Sequence, residues 1–154
     1  MANYCFAFNK GIEAMLKNYV AKNPKKEIFV AMFGIVHGKK CGIEFRIDRV
    51  VAFPNTADDP ANFGEIPANW MDVCGEVCKL EQMRFLGFFH SHPASKGIRS
   101  SQDTKFALET AEKEGNILMG IASNRSVLRM YFVEENRIKI IPGTVNLFKI
   151  AMKD

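Results

Sequence analysis

Between residues 85 and 93 the chain changes character within a few positions. Phe85-Leu86-Gly87-Phe88-Phe89 is an unbroken apolar run, and His90-Ser91-His92-Pro93 follows directly. Residues 85–91 read as an apolar strand, and Pro93, which lacks an amide hydrogen, stops it. Any fold this chain adopts must bury residues 85–89 and still present two histidines at the strand end. Only three histidines occur in the protein. Side chains two apart on a strand share a face, so His90 and His92 are expected to converge on one spot at the mouth of the fold.

The other elements follow from periodicity. Residues 6–22 space Phe6, Ile12, Met15, Leu16, Tyr19 and Val20 three and four apart, which predicts an amphipathic helix ended by Asn23-Pro24. Residues 27–36 are almost continuously apolar and predict a buried strand, followed by a turn at His37-Gly38-Lys39-Lys40 that leaves His37 in solvent. Residues 41–53 alternate through Ile43, Phe45 and Ile47, then Val50 and Val51, a second long strand paired with the first. A turn-rich loop covers 54–67, a helix 68–82, a loop 93–99, a helix 101–114 closed by Gly115, and strands 117–122, 127–133 and 137–141. The expectation is a single α/β domain over residues 1–154, a mostly antiparallel sheet with helices packed against it.

Composition narrows the function classes. At 47% hydrophobic and 25% charged residues the chain has the balance of a soluble globular protein. No apolar run reaches the roughly 18 residues that span a bilayer, and the start Met1-Ala2-Asn3-Tyr4-Cys5-Phe6 lacks a signal-peptide pattern, so the expected location is the cytoplasm. A net charge of +4 is spread over small groups such as Lys25-Lys26 and Lys39-Lys40, which reads as a solvated surface and not a nucleic-acid stripe. Cys74 and Cys78, four apart on one helix, sit too far apart for a disulfide and read as small buried thiols. The apolar N-terminal helix offers a surface for a homodimer.

The histidines have company. Ser100 and Asp103 follow in the spacing H-x-H, seven residues, S, two residues, D. Ser-x-x-Asp is a capping-box-like helix start and puts Asp103 in a first turn, carried back beside the histidines by the loop. Taken singly, Ser100 is an N-cap and Asp103 a favourable charge at a helix N-terminus. Taken together, two imidazoles and one carboxylate make the three protein ligands of a catalytic zinc site with a position left open for water, although ligand type does not exclude another divalent metal. Hydrolysis also needs a group to move the proton. No H-E-x-x-H motif supplies one; Glu27, a lone carboxylate leading a buried strand, is the best candidate, yet spacing alone reads it as an ordinary polar residue after Lys25-Lys26.

With these residues in place the chain resembles the JAMM (MPN+) zinc metalloproteases, in particular their short prokaryotic-type members. The family signature is a glutamate on an early strand, then H-[ST]-H-P, seven residues, S, two residues, D. His90, Ser91, His92, Pro93, Ser100 and Asp103 meet every metal-motif position, and Glu27 and Gly34 match the early segment, where Val30 and Met32 stand in place of the usual glycine and leucine. Val50 to Asn55 leading into Ala57-Asp58-Asp59-Pro60, Leu86 to Phe89, and Arg129 to Phe132 extend the likeness over roughly residues 8–141. The resemblance implies a cytidine-deaminase-like (JAB/MPN) α/β fold, a curved sheet flanked by helices. It implies that His90, His92 and Asp103 hold one Zn2+, that Glu27 is general base and then proton donor to the leaving nitrogen, and that Ser100 hydrogen-bonds the oxyanion. Ser91, on the other face, gives support. The implied substrate is a peptide or isopeptide bond at the C-terminal tail of a ubiquitin-like or sulfur-carrier protein, held between the loops 55–67 and 93–99. Asn55, Asp58 and Asp59 are candidate substrate contacts; the acidic pair suits a basic stretch of substrate and equally an ordinary polar turn.

Three other functions compete with this one. C-terminal processing of a sulfur-carrier protein needs the same chemistry. A non-catalytic MPN-type scaffold typically lacks metal ligands, which this chain has. A zinc deaminase needs H-x-E and P-C-x-x-C, and neither occurs.

Overall fold

A computed structural model describes residues 4–22, 27–39, 42–55, 66–91, 101–122, 128–134 and 137–145. In chain order the elements are β1 (Tyr4–Phe8), α1 (Lys10–Lys22), β2 (Phe29–Lys39), β3 (Gly42–Phe53), α2 (Trp70–Glu81), β4 (Arg84–Ser91), α3 (Ser101–Glu114), β5 (Ile117–Ala122), β6 (Leu128–Glu134) and β7 (Arg137–Val145). The strands form a seven-stranded sheet in the order β1-β3-β2-β4-β5-β6-β7. The β1–β3 and β4–β5 pairs are parallel and the other four antiparallel.

Two apolar clusters sit on the two faces of the sheet. One joins Ile12, Leu16 and Val20 of α1 to Val30, Met32, Phe45, Ile47, Leu86 and Phe89. The other joins Trp70 and Cys74 of α2 and Ala107 and Ala111 of α3 to Phe29, Phe33, Phe53, Phe88, Met119 and Ile121. The four-residue spacing of Ile12, Leu16 and Val20 is the stripe that faces a core. That stripe covers its own sheet, while Met15 of α1 is 49% exposed.

The JAB/MPN expectation is corrected. An α/β mix is present, but the sheet dominates it: seven strands curl into a half-barrel, accompanied by three helices of 12–14 residues. Such a helix is only about 20 Å long and cannot cover a wide sheet. Curling lets the strands cover one another instead. Tyr4 of the edge strand β1 stacks on Phe132 of β6, ring centroids 3.8 Å apart, and Phe45 packs on the same ring at 5.8 Å.

Local expectations are corrected at two places. The helix predicted from residue 6 starts at Lys10, because Phe6 belongs to β1 and pairs with Phe45; the apolar Tyr4–Phe8 segment is a strand that helical spacing absorbed by chance. The turn at 37–40 starts later, since β2 runs to Lys39. His37 therefore lies on a strand, with Nε2 2.8 Å from Glu44 Oε1. Helix α3 is closed as expected, with Gly115 at φ 86° donating its amide to the Ala111 carbonyl at 2.8 Å.

Cys74 is 1% exposed. Burial first, then the neighbouring Cys78 and Glu114, push its thiol up to about 12. The thiolate is the reactive form, so at pH 8 native Cys74 should resist iodoacetamide and become labelled only on unfolding, as peptide mass spectrometry would read. The same shift destabilises the fold in alkali: above roughly pH 9 the unfolded chain loses this proton while the folded one keeps it to about 12, so the unfolded state is favoured as pH rises through that window.

Candidate metal centre

One end of the sheet gathers four element ends. Phe29 at the start of β2 lies opposite Phe53 at the end of β3 and opposite His90 near the end of β4. Helix α3 begins at Ser101 on the face of Phe29 and Phe88. Residues directly opposite on paired strands share a face, so His90 lies on that face too. Glu27 lies two residues before Phe29, just outside β2, so the strand predicted from residue 27 starts later.

An aromatic floor sets this arrangement. Phe29 stacks on Phe88 at 5.3 Å, and Phe88 on the His90 imidazole at 5.9 Å, with interplanar angles of 18° and 19°. Phe106 of α3 packs edge-on against Phe88 at 4.9 Å and against Phe29 at 5.9 Å. Phe106 is three residues after Asp103 and therefore on the same helix face. Seating Phe106 on the floor brings the first turn of α3 over the strand ends.

There Nε2 of His90 comes within 2.9 Å of Oδ1 of Asp103, with the side chains 12% and 14% exposed. The two make a close imidazole–carboxylate contact. Two donor atoms each 2.0–2.2 Å from one zinc ion lie about 3 Å apart. Both the spacing and the imidazole–carboxylate chemistry therefore fit a divalent metal. Among the described residues no group of three or more His, Cys, Asp or Glu side chains forms a cluster; the expected third ligand, His92, lies outside the described residues, as do Ser100, Asp58 and Asp59.

Two residues hold the Glu27 segment. The Ile28 amide donates to Ser91 Oγ at 3.1 Å, and Asn55 Nδ2 donates to the Glu27 carbonyl at 2.9 Å. Ser91, expected to give support, is 5% exposed. Asn55, expected as a substrate contact, holds the backbone carbonyl of Glu27. Nothing in the spacing pointed to that bond, because it joins residues 28 apart. The sequence also gave no sign that Phe106 orients Asp103.

No protein-family model matches the chain, and no curated protein matches it. Among solved structures it is similar to protein DSY2949 from Desulfitobacterium hafniense, a solution structure, with a TM-score of 0.68 over 88% of this chain and 89% of that one, at 15% identity. At that identity the likeness shows the fold alone. No helix among the described residues is long and apolar enough to cross a membrane.

Proposed function

We propose that the chain is a JAMM-type, zinc-dependent peptidase or isopeptidase acting in the cytoplasm on the C-terminal tail of a ubiquitin-like or sulfur-carrier protein. The observation that carries this reading is the approach of His90 Nε2 to Asp103 Oδ1 beside the Glu27 segment. The metal motif, H-S-H-P followed by S and D at the family spacing, supplies the reaction class.

His90 and Asp103 would hold the zinc, with His92 as third ligand. Bound there, zinc supplies Lewis acidity and lowers the pKa of a coordinated water towards about 7. Glu27 takes the proton of the attacking water and returns it to the departing nitrogen, so that one carboxylate serves both halves of the reaction. The Ser100 hydroxyl donates a hydrogen bond to the developing oxyanion. The aromatic floor of Phe29, Phe88 and Phe106 excludes water from below and limits the rotation of His90.

Asp103→Ala tests the ligand set. Loss of the carboxylate removes a favourable helix-end charge, about 0.3–1 kcal/mol, and the contact with His90, so a thermal melt accompanies the assay to show that the variant folds. Elemental analysis should find about one zinc per wild-type chain and close to none in the variant, which should also lose hydrolysis of linear fusions and lysine-linked conjugates. Equal zinc in both proteins would remove Asp103 from the site.

A further inference from the structure

The peptide group that joins Glu27 to Ile28 lies just beyond the registered ladders of β2, whose first partners are Phe53 on one side and His90 on the other, both opposite Phe29. Its carbonyl and amide hydrogen point in opposite directions, as in any trans peptide. Each is met by a side chain from a different neighbouring strand. Asn55, two residues past the end of β3, donates to the Glu27 carbonyl at 2.9 Å, and Ser91, the last residue of β4, accepts from the Ile28 amide at 3.1 Å. The Ser91 amide also donates to the Ile28 carbonyl at 3.3 Å.

We infer that Asn55 and Ser91 form a two-point clamp on the Glu27–Ile28 peptide and act as positioning residues for the Glu27 carboxylate. The inference rests on the reading of Glu27 as the proton-transfer group. Side chains here add to the pairing past the last registered residues of β2. Fixing both poles of one peptide plane fixes the position of the Glu27 Cα and the axis about which its side chain can swing, and so narrows where the carboxylate can lie. The hydrophobic anchor is Ile28, 5% exposed in the cluster beneath α1. A proton-transfer group must stay within hydrogen-bond reach of its target, and small displacements of a reacting group lower rates steeply. The clamp also gives the serine of the H-S-H-P motif a task, since its hydroxyl holds the segment that carries the proposed base.

The test uses Asn55→Ala, Ser91→Ala and Ser91→Thr in the zinc-loaded full chain. Three readouts are taken: zinc stoichiometry, kcat and KM on a cleavable ubiquitin-like fusion, and amide exchange at Ile28 by NMR. The two alanine variants should keep their zinc and hold KM within about twofold while kcat falls about 10-fold or more. Ile28 exchange should quicken in Ser91→Ala, and Ser91→Thr, which keeps the hydroxyl, should restore both kcat and protection. Unchanged Ile28 exchange in Ser91→Ala overturns the clamp, and so does a wild-type kcat in both alanine variants. A parallel fall in zinc content or a rise in KM instead of a fall in kcat would also overturn the positioning role. A wild type that hydrolyses no substrate of the panel overturns the functional reading, and the catalytic role of the clamp with it, whatever the exchange data show.

Discussion

Replacing Glu27 by Gln is expected to leave zinc content near wild type and to lower kcat by about 10²–10⁴-fold, the usual weight of a general acid–base group. Gln keeps the length and shape of the side chain but cannot take a proton at neutral pH. The backbone of residue 27 stays gripped by Asn55, so the substitution changes chemistry and not position. The His90–Asp103 pair is untouched by it. Elemental analysis, a thermal melt and steady-state kinetics on the fusion panel read the three parts of this expectation. Turnover within about threefold of wild type would remove Glu27 from the mechanism, even if the metal site stood.

A second large effect is expected at Gly87, far from any reacting atom. Gly87 lies in the middle of β4 at φ 143°, a conformation that side chains with a Cβ rarely adopt, and a Cβ there would overlap the Leu118 carbonyl on β5. Gly87→Ala combines backbone strain with overpacking in a central strand, each about 1–3 kcal/mol. A loss of about 3 kcal/mol in a domain this size lowers the melting temperature by roughly 6–12 °C. A melting temperature within about 2 °C of wild type would show that β5 can shift to make room.

The glycine matters for more than stability. Opposite the step from Met32 to Phe33, β4 passes from Gly87 to Phe85, so Leu86 is an extra residue and a bulge. Before it, Phe85 belongs with the α2 and α3 cluster and Leu86 with the α1 cluster; after it, Phe88 takes the α2 and α3 side and Phe89 the α1 side. Without the bulge, plain alternation would turn Phe88 and His90 to the α1 face, away from Asp103. A Gly87→Ala protein that folds by relaxing the bulge is therefore expected to lose zinc as well.

The contrast with β3 shows what a sequence can reveal about such a device. There the apolar positions run 43, 45, 47 and then 50, a slip of phase that announces an extra residue. The structure has it: Phe33 pairs with Arg49 and Gly34 with Ile47, leaving Asp48 over. In β4 both faces are buried, so every position from 85 to 89 is apolar and no phase exists to slip. The first strand was hidden for a related reason. Tyr4–Phe8 is a short edge strand, half-buried throughout, and its one well-placed Phe6 fitted the helical repeat that follows.

Local chemistry, then, was determined by the sequence alone. It was enough to name His90 and Asp103 as partners, to predict the helix start before Asp103, to mark the long strands and to expect Cys74 as a buried thiol. These follow from spacing of a few residues, within which backbone geometry is nearly fixed. Only the tertiary structure decided the dominance of the sheet over helix cover, the face on which His90 emerges, the seating of Phe106 that carries Asp103 to it, and the grip of Asn55 and Ser91 on the Glu27 peptide. Each of those depends on contacts between residues far apart in the chain. Such contacts are selected by total burial and by which backbone groups still lack a ladder partner, quantities that no short stretch of sequence contains.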